Sequence, residues 1–261
     1  MAVDGATDFR LIPIPAPQTE ATALDYHCAK VDRAHPDFND PLTALAEIGI
    51  RSQCFYARDD GDNAPYFRSF ASAPKIARCR LQVAKRLAAV NELLEAYGVE
   101  LFVLDAHRPI ALQRDLWNHF IEQAYRHLEK PSEEGAIAFA GRFCSFPRDS
   151  RADDLATWTL HITGAAVDLT LCRRGNDELL EMGGHFDEAS EVSATARYEN
   201  KNLHSARDQE ALRNRRLLYW AMIEGGFSNY HAEWWHFDYG NQMWVTSRMR
   251  GESAWYGPAE G

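Results

Sequence analysis

The sequence predicts an α+β fold in which a small sheet is covered on one side by helices. Three observations carry this. Helical and strand-like segments mix without the regular βαβ alternation of a parallel sheet. The apolar runs that read as strands are short. No boundary divides the stretch after residue 45, so residues 46–261 read as a single domain around one core.

Residues 1–45 are rich in Pro and Asp with weak periodicity, and read as an extended N-terminal arm over that core or a partly ordered tail. The first strong element is a helix over residues 75–97, where Ile76, Val83, Leu87, Val90 and Leu94 fall at helical spacing and Gly98 suits the stop. A strand follows over 100–105. His107-Arg108-Pro109 then makes a corner, and Pro109 suits the first position of a helix running to about residue 128. Residues 129–158 carry Pro131, Gly135, Gly141 and Pro147 and read as loop, with a short helix near 136–140. Strand 165–171, helix 207–224 ending at Gly225-Gly226, and an aromatic strand 234–239 complete the chain.

The composition narrows the partners. Of 261 residues, 28 are Lys or Arg and 38 are Asp or Glu, a formal net charge of −10. That disfavours nucleic acid or an anionic membrane, which need a basic surface. No stretch approaches the roughly 20 apolar residues of a membrane span. The run Leu11-Ile12-Pro13-Ile14-Pro15 is a poor signal-peptide core. Five scattered cysteines with no CxxC pair read as reduced thiols, which makes the expected location cytoplasmic.

Two segments carry chemistry. In His161-Ile-Thr-Gly164-Ala-Ala-Val-Asp168, Ala166, Asp168 and Thr170 share one strand face. An Asp within an apolar strand needs a neutralising partner. A metal is one, backbone hydrogen bonds are another, and Gly164 allows a bend returning His161 toward Asp168. The second segment is His231-Ala-Glu233-Trp234-Trp235-His236-Phe237. Glu233 and His236 would face opposite ways in an ideal strand, and converge only if Glu233 lies on the loop before it. Taken alone, this segment is equally a core histidine beside packed tryptophans. It is not the HExxH helix of zincins. Together the two segments offer two imidazoles, one carboxylate and a separate Glu. Three ligands with an open fourth position describe a catalytic zinc site, where bound water reaches a pKa of about 7 and Glu233 could take its proton. Arg108, at the end of a strand, would give a fixed fork of donors to an oxyanion or carboxylate, or simply make a surface ion pair.

These residues resemble a known family. The segment from Thr159 through His161 to Asp168 is similar to the SxHxxGxAxD motif of the D-alanyl-D-alanine metallopeptidases. Glu233-Trp-Trp-His236-Phe resembles their ExWHF motif, in the EWWHF form of the dipeptidase branch linked to vancomycin resistance. Asp105-Ala-His107-Arg108-Pro109 resembles D-[AG]-Y-R-P, and Glu181-Met-Gly-Gly-His-Phe-Asp187 resembles DMGxxFD. Asn214-Arg-Arg-Leu-Leu218 leading to Gly226-Phe227 also fits, so the likeness spans roughly residues 75–240. The resemblance implies a mainly antiparallel, hedgehog-like D,D-peptidase zinc fold with one Zn²⁺ per chain. It implies hydrolysis of the dipeptide D-Ala-D-Ala to two D-alanines. His161, Asp168 and His236 would be the ligands, Glu233 the base, Arg108 the transition-state stabiliser, and Thr159 and Asp187 the substrate holders. The chain departs from the pattern at Thr159, where the family has Ser, and at His107, where it has Tyr. It also carries an apparent insertion at 148–158. The tyrosine that this branch sets near the substrate amine falls near Ser52 or Tyr56. Rival readings are a related zinc amidase or D,D-carboxypeptidase, and a non-catalytic zinc-binding protein. Retention of Glu233 and Arg108 speaks against the last.

Overall fold

Residues 7–17, 25–130, 132–151, 153–176, 178–188, 190–199, 205–248 and 253–259 are described by a computed structural model. Their elements run β1 (Leu42–Ala44), β2 (Arg51–Ser52), β3 (Arg78–Arg80), α1 (Leu81–Leu94), β4 (Val99–Asp105), α2 (Ile110–His127), α3 (Glu133–Ala140), β5 (Ala166–Arg173), α4 (Ala206–Glu224), β6 (Ser228–Asn229), β7 (His236–Asp238) and α5 (Gln242–Arg248). The fold is α+β. Its main sheet has the order β2-β4-β5-β7-β6, with β2–β4 parallel and every other pairing antiparallel. A second, two-stranded sheet pairs β1 with β3.

The helix expected from residue 75 begins only at Leu81. Residues 78–80 pair with β1 instead, Leu42 opposite Arg80 and Ala44 opposite Arg78, so their backbone groups are spent on a ladder. Ile76 consequently lies outside the helix and is 54% exposed. Val83, Leu87, Val90 and Leu94 form the buried stripe of α1, each contributing roughly 1.5–3 kcal/mol by leaving water. Past Leu94 the chain tightens into a single 3-10 turn and stops at Gly98, whose φ of 69° is left-handed. Helices α1 and α4 pack on each other and on the sheet, α1 against β4 and α4 against β5.

The interior strand β5 is buried over Ala166–Cys172, as its near-continuous apolar sequence requires. The aromatic strand is narrower than the expected 234–239. Trp234 and Trp235 form a turn, in which the Trp234 N–H donates to the Ser193 carbonyl, and pairing starts at His236.

The described N-terminal residues lie across this core. Trp220 Nε1 donates to the Ile12 carbonyl at 3.0 Å, and the Ile14 N–H donates to Glu199 at 2.9 Å. The chain's other end folds back as well: the Ala259 N–H donates to the Ile162 carbonyl at 2.8 Å, and Tyr256 is fully buried. All five cysteines are free thiols. No helix among the described residues is long and apolar enough to cross a membrane.

Candidate metal centre and substrate pocket

Sheet register builds the centre. Asp168 of β5 stands opposite Asp105 of β4 on one side and His236 of β7 on the other, so three neighbouring strands present polar side chains at one level. A register shift between Val103 and Asp105 brings the β4 residue into line. His161 arrives from outside the sheet. It opens a 3-10 turn, His161–Thr163, that closes on Gly164 at φ 68° and feeds straight into β5. Gly164 has to be glycine twice over, since a Cβ there would also sit 2.5 Å from Leu42 Cδ2.

His161, Asp168 and His236 are all buried, with ligand atoms within 4.8 Å of one another. The Ala106 carbonyl can only accept, so His161 Nδ1, 2.9 Å away, carries the proton. Nε2 is therefore the free nitrogen, 3.4 Å from Asp168 Oδ2. His236 is turned the other way, with Nδ1 2.9 Å from Asp168 Oδ1. Burial opposes ionisation of Asp168, yet His161 and His236 hold its carboxyl well below the usual range. Burial likewise works against a charge on His236, but Asp238 and Asp168 keep its proton far above the ordinary histidine value. Two imidazoles and one carboxylate, buried and convergent, fit zinc in chemistry and number. His231 stands outside this set.

Glu233 sits where the convergence argument requires it, in the turn before β7. Its N–H donates to the Tyr230 carbonyl at 2.9 Å, and Oε2 reaches to 3.9 Å from His236 Nδ1. Its side chain keeps 34% exposure toward the cavity, and burial of the carboxyl pushes its pKa up to about 7.

Arg108 is no surface ion pair. Its backbone N–H donates to the His161 carbonyl, and its guanidinium is buried and held on all three nitrogens. Nε donates to Asp105 Oδ2 at 2.8 Å, Nη1 to Gln113 Oε1 at 3.0 Å and Nη2 to the Tyr56 hydroxyl at 3.3 Å, with Asp168 Oδ2 3.5 Å from Nη2. Gln113 is in turn held by the Ser145 carbonyl at 2.8 Å. His107 points elsewhere, its Nε2 donating to the Ala259 carbonyl at 3.2 Å.

A cavity of about 200 Å³ opens onto these groups. It is smaller than the roughly 300–1,000 Å³ typical of drug-sized sites, and so suits a small substrate. Thr159 lines it, as do Tyr26 from the N-terminal segment, Ser145 and Tyr230. Asp187 lies in the wall, a non-glycine residue at φ 60°. It accepts from the Tyr56 hydroxyl at 3.1 Å and from the Tyr66 hydroxyl. Burial raises its pKa against the pull of Tyr66 and Arg108. Of the two N-terminal candidates, Tyr56 is the one that reaches Asp187. Tyr66, Gln113 and Asp238 were not anticipated. Only Asp238 left a local signal, since it follows His236 by two positions and shares its strand face.

A small sheet presenting a buried His–Asp–His set, with a carboxyl and an arginine around a compact cavity, defines a peptidase with a metal-type donor set. The profile of the peptidase M15 D-Ala-D-Ala dipeptidases matches residues 71–250, and the chain belongs to that family. A D-alanyl-D-alanine dipeptidase of Synechocystis is 33% identical over 228 residues, 80% of this chain and 85% of the relative. One of Enterococcus faecalis is 36% identical over 194 residues, 72% of this chain and 85% of the relative. Among solved structures, a zinc-complexed vancomycin-resistance D,D-pentapeptidase is 16% identical, covering 70% of this chain and 82% of its own, with a TM-score of 0.34.

Proposed function

We propose that this chain hydrolyses the dipeptide D-Ala-D-Ala to two D-alanines, with one zinc held by His161, Asp168 and His236. The observation that carries the reading is the convergence of those three side chains beside Glu233, whose Oε2 stands 3.9 Å from His236 Nδ1 at the floor of the cavity. Zinc, when bound there, supplies the Lewis acidity that polarises a carbonyl and makes water nucleophilic near neutral pH.

The chain's own groups supply the rest. Glu233 takes a proton from the attacking water on Oε2 and returns it to the leaving amine, a task suited to a carboxyl lifted toward neutrality. Arg108 keeps its charge at every relevant pH and aims it at the oxyanion that develops on the scissile carbonyl. Asp187 holds the substrate ammonium. Two hydroxyls occupy part of its acceptor capacity and leave room for that partner. Thr159, which lines the same cavity, donates to the terminal carboxylate. The same arrangement makes an amidase or D,D-carboxypeptidase the lesser reading, because a blocked or extended amine would leave Asp187 without its cation.

Glu233→Gln tests the assignment. It should retain stoichiometric zinc and lose kcat by roughly three orders of magnitude or more. A variant that loses its zinc instead would make Glu233 a ligand, and one with normal turnover would remove it from the chemistry.

A further inference from the structure

His236 is pinned on both ring nitrogens. Nδ1 faces the cavity, 2.9 Å from Asp168 Oδ1 and 3.9 Å from Glu233 Oε2. Nε2 faces away, 3.1 Å from Asp238 Oδ2. Asp238 is 0% exposed, and a carboxylate so placed has to find hydrogen-bond donors within the protein. Its second oxygen accepts from Asn241 Nδ2 at 2.6 Å. Asn241 is itself 0% exposed, and its Oδ1 accepts from the Trp244 N–H at 3.0 Å, in the first turn of α5. A continuous chain therefore runs from the start of α5 through Asn241 and Asp238 to His236 and the cavity.

The backbone enforces the contact. Asp238 and His236 are two residues apart on β7 and share a face, and β5 flanks both, Ala166 opposite Asp238 and Asp168 opposite His236. The small side chain of Ala166 stands opposite the carboxylate. His161 meets the same need differently, since its Nδ1–H donates to a neutral peptide carbonyl. The two histidines thus present opposite nitrogens, and their far sides differ: Asp238 Oδ2 is 3.1 Å from His236 Nε2, whereas Asp105 Oδ2 stands 3.5 Å from His161 Nδ1, beyond the carbonyl that takes its proton.

We propose that Asp238 is a positioning residue that fixes the Nε2–H tautomer of His236, leaving Nδ1 as the metal-ligating nitrogen, with Asn241 holding Asp238 in place. The proposal rests on the reading that His161, Asp168 and His236 hold zinc. A carboxylate accepting from the far nitrogen of a ligating imidazole sets the ring's orientation and makes it a stronger donor, and losing such a partner costs about 10–100-fold in metal affinity.

Asp238→Asn keeps the size and an acceptor but removes the charge. Competition against a chelating dye should show zinc affinity falling by about 10–100-fold, with a smaller fall in Asn241→Ser. A merely structural Asp238 would lower the melting temperature of metal-free and zinc-loaded protein alike and leave zinc affinity within about twofold of the unaltered chain. That result would overturn the proposal. A second measurement needs no variant at Asp238. A long-range 1H–15N correlation spectrum of the zinc-loaded chain should place the His236 proton on Nε2, the nitrogen coupled to both ring carbon protons, and a proton on Nδ1 would refute the tautomer. His161→Ala separates this inference from the reading beneath it. Full zinc retention in His161→Ala sinks the metal assignment itself. Zinc lost from that variant but bound normally by Asp238→Asn sinks only the role of Asp238.

Discussion

Arg108 joins Asp105, Gln113 and Tyr56 through three different nitrogens, with Asp168 close behind. A lysine ammonium is a single point charge and cannot span those partners at once. Arg108→Lys should therefore lose at least about 10²-fold in kcat, on the scale of removing one oxyanion donor. Near-normal turnover would reduce Arg108 to a structural ion pair. At Asp187 the expected effect lies in KM. Asp187→Ala removes a charge-assisted contact of about 1.5–3 kcal/mol, and KM for free D-Ala-D-Ala should rise by roughly 10–100-fold. The unaltered chain should cleave the N-acetylated dipeptide poorly, and the variant should narrow that gap. Equal turnover of free and acetylated dipeptide by the unaltered chain would refute the ammonium clamp.

Elements matter here through register. One residue of slip between β5 and β7 would turn Asp168 and His236 to opposite faces and dissolve the centre. The Gly164 bend is the other structural hinge, because it returns His161 to the strand that carries Asp168. Gly164→Ala meets both a left-handed backbone and Leu42, so it should cost on the order of 1–3 kcal/mol. For a chain of this size that is several degrees in Tm. The same variant should bind zinc more weakly, because His161 lies three residues upstream. An unchanged Tm and zinc affinity would show that the turn is not what places His161.

For the whole molecule, a metal bound at this centre ties the His161 turn, β5 and β7 together. Chelation should then lower stability by the binding free energy. At a free zinc concentration of 1,000 times Kd that is about 4 kcal/mol, or roughly 10 °C in Tm. A Tm indifferent to chelator would exclude a tightly bound ion. The pH dependence follows from the shifts in the metal-free chain. His236 holds its proton well above the ordinary histidine value. Zinc has to displace that proton from Nδ1, so its affinity should rise with pH through the neutral range. The depressed Asp168 works at the other end. It adds stability above its ordinary value of 3.8, and that contribution is lost only as pH falls through its lowered value.

Local order was enough to find most of the helices and the central strands, because apolar periodicity and glycine stops act between near neighbours, as in α1 with Gly98. It was also enough to single out His161, Asp168, Glu233 and His236. Their two segments are each short, and strand geometry set the condition that Glu233 lie before the strand, where the turn ahead of β7 puts it. Local order misjudged the start of α1, since the β1 partner of residues 78–80 lies far upstream in the chain. It also held no trace of Tyr66, which meets Asp187 across 121 residues of chain. Which nitrogen each histidine presents was likewise decided by tertiary structure. A hydrogen-bond partner is chosen by proximity in space, and proximity across a sheet is set by strand register, which no single segment contains.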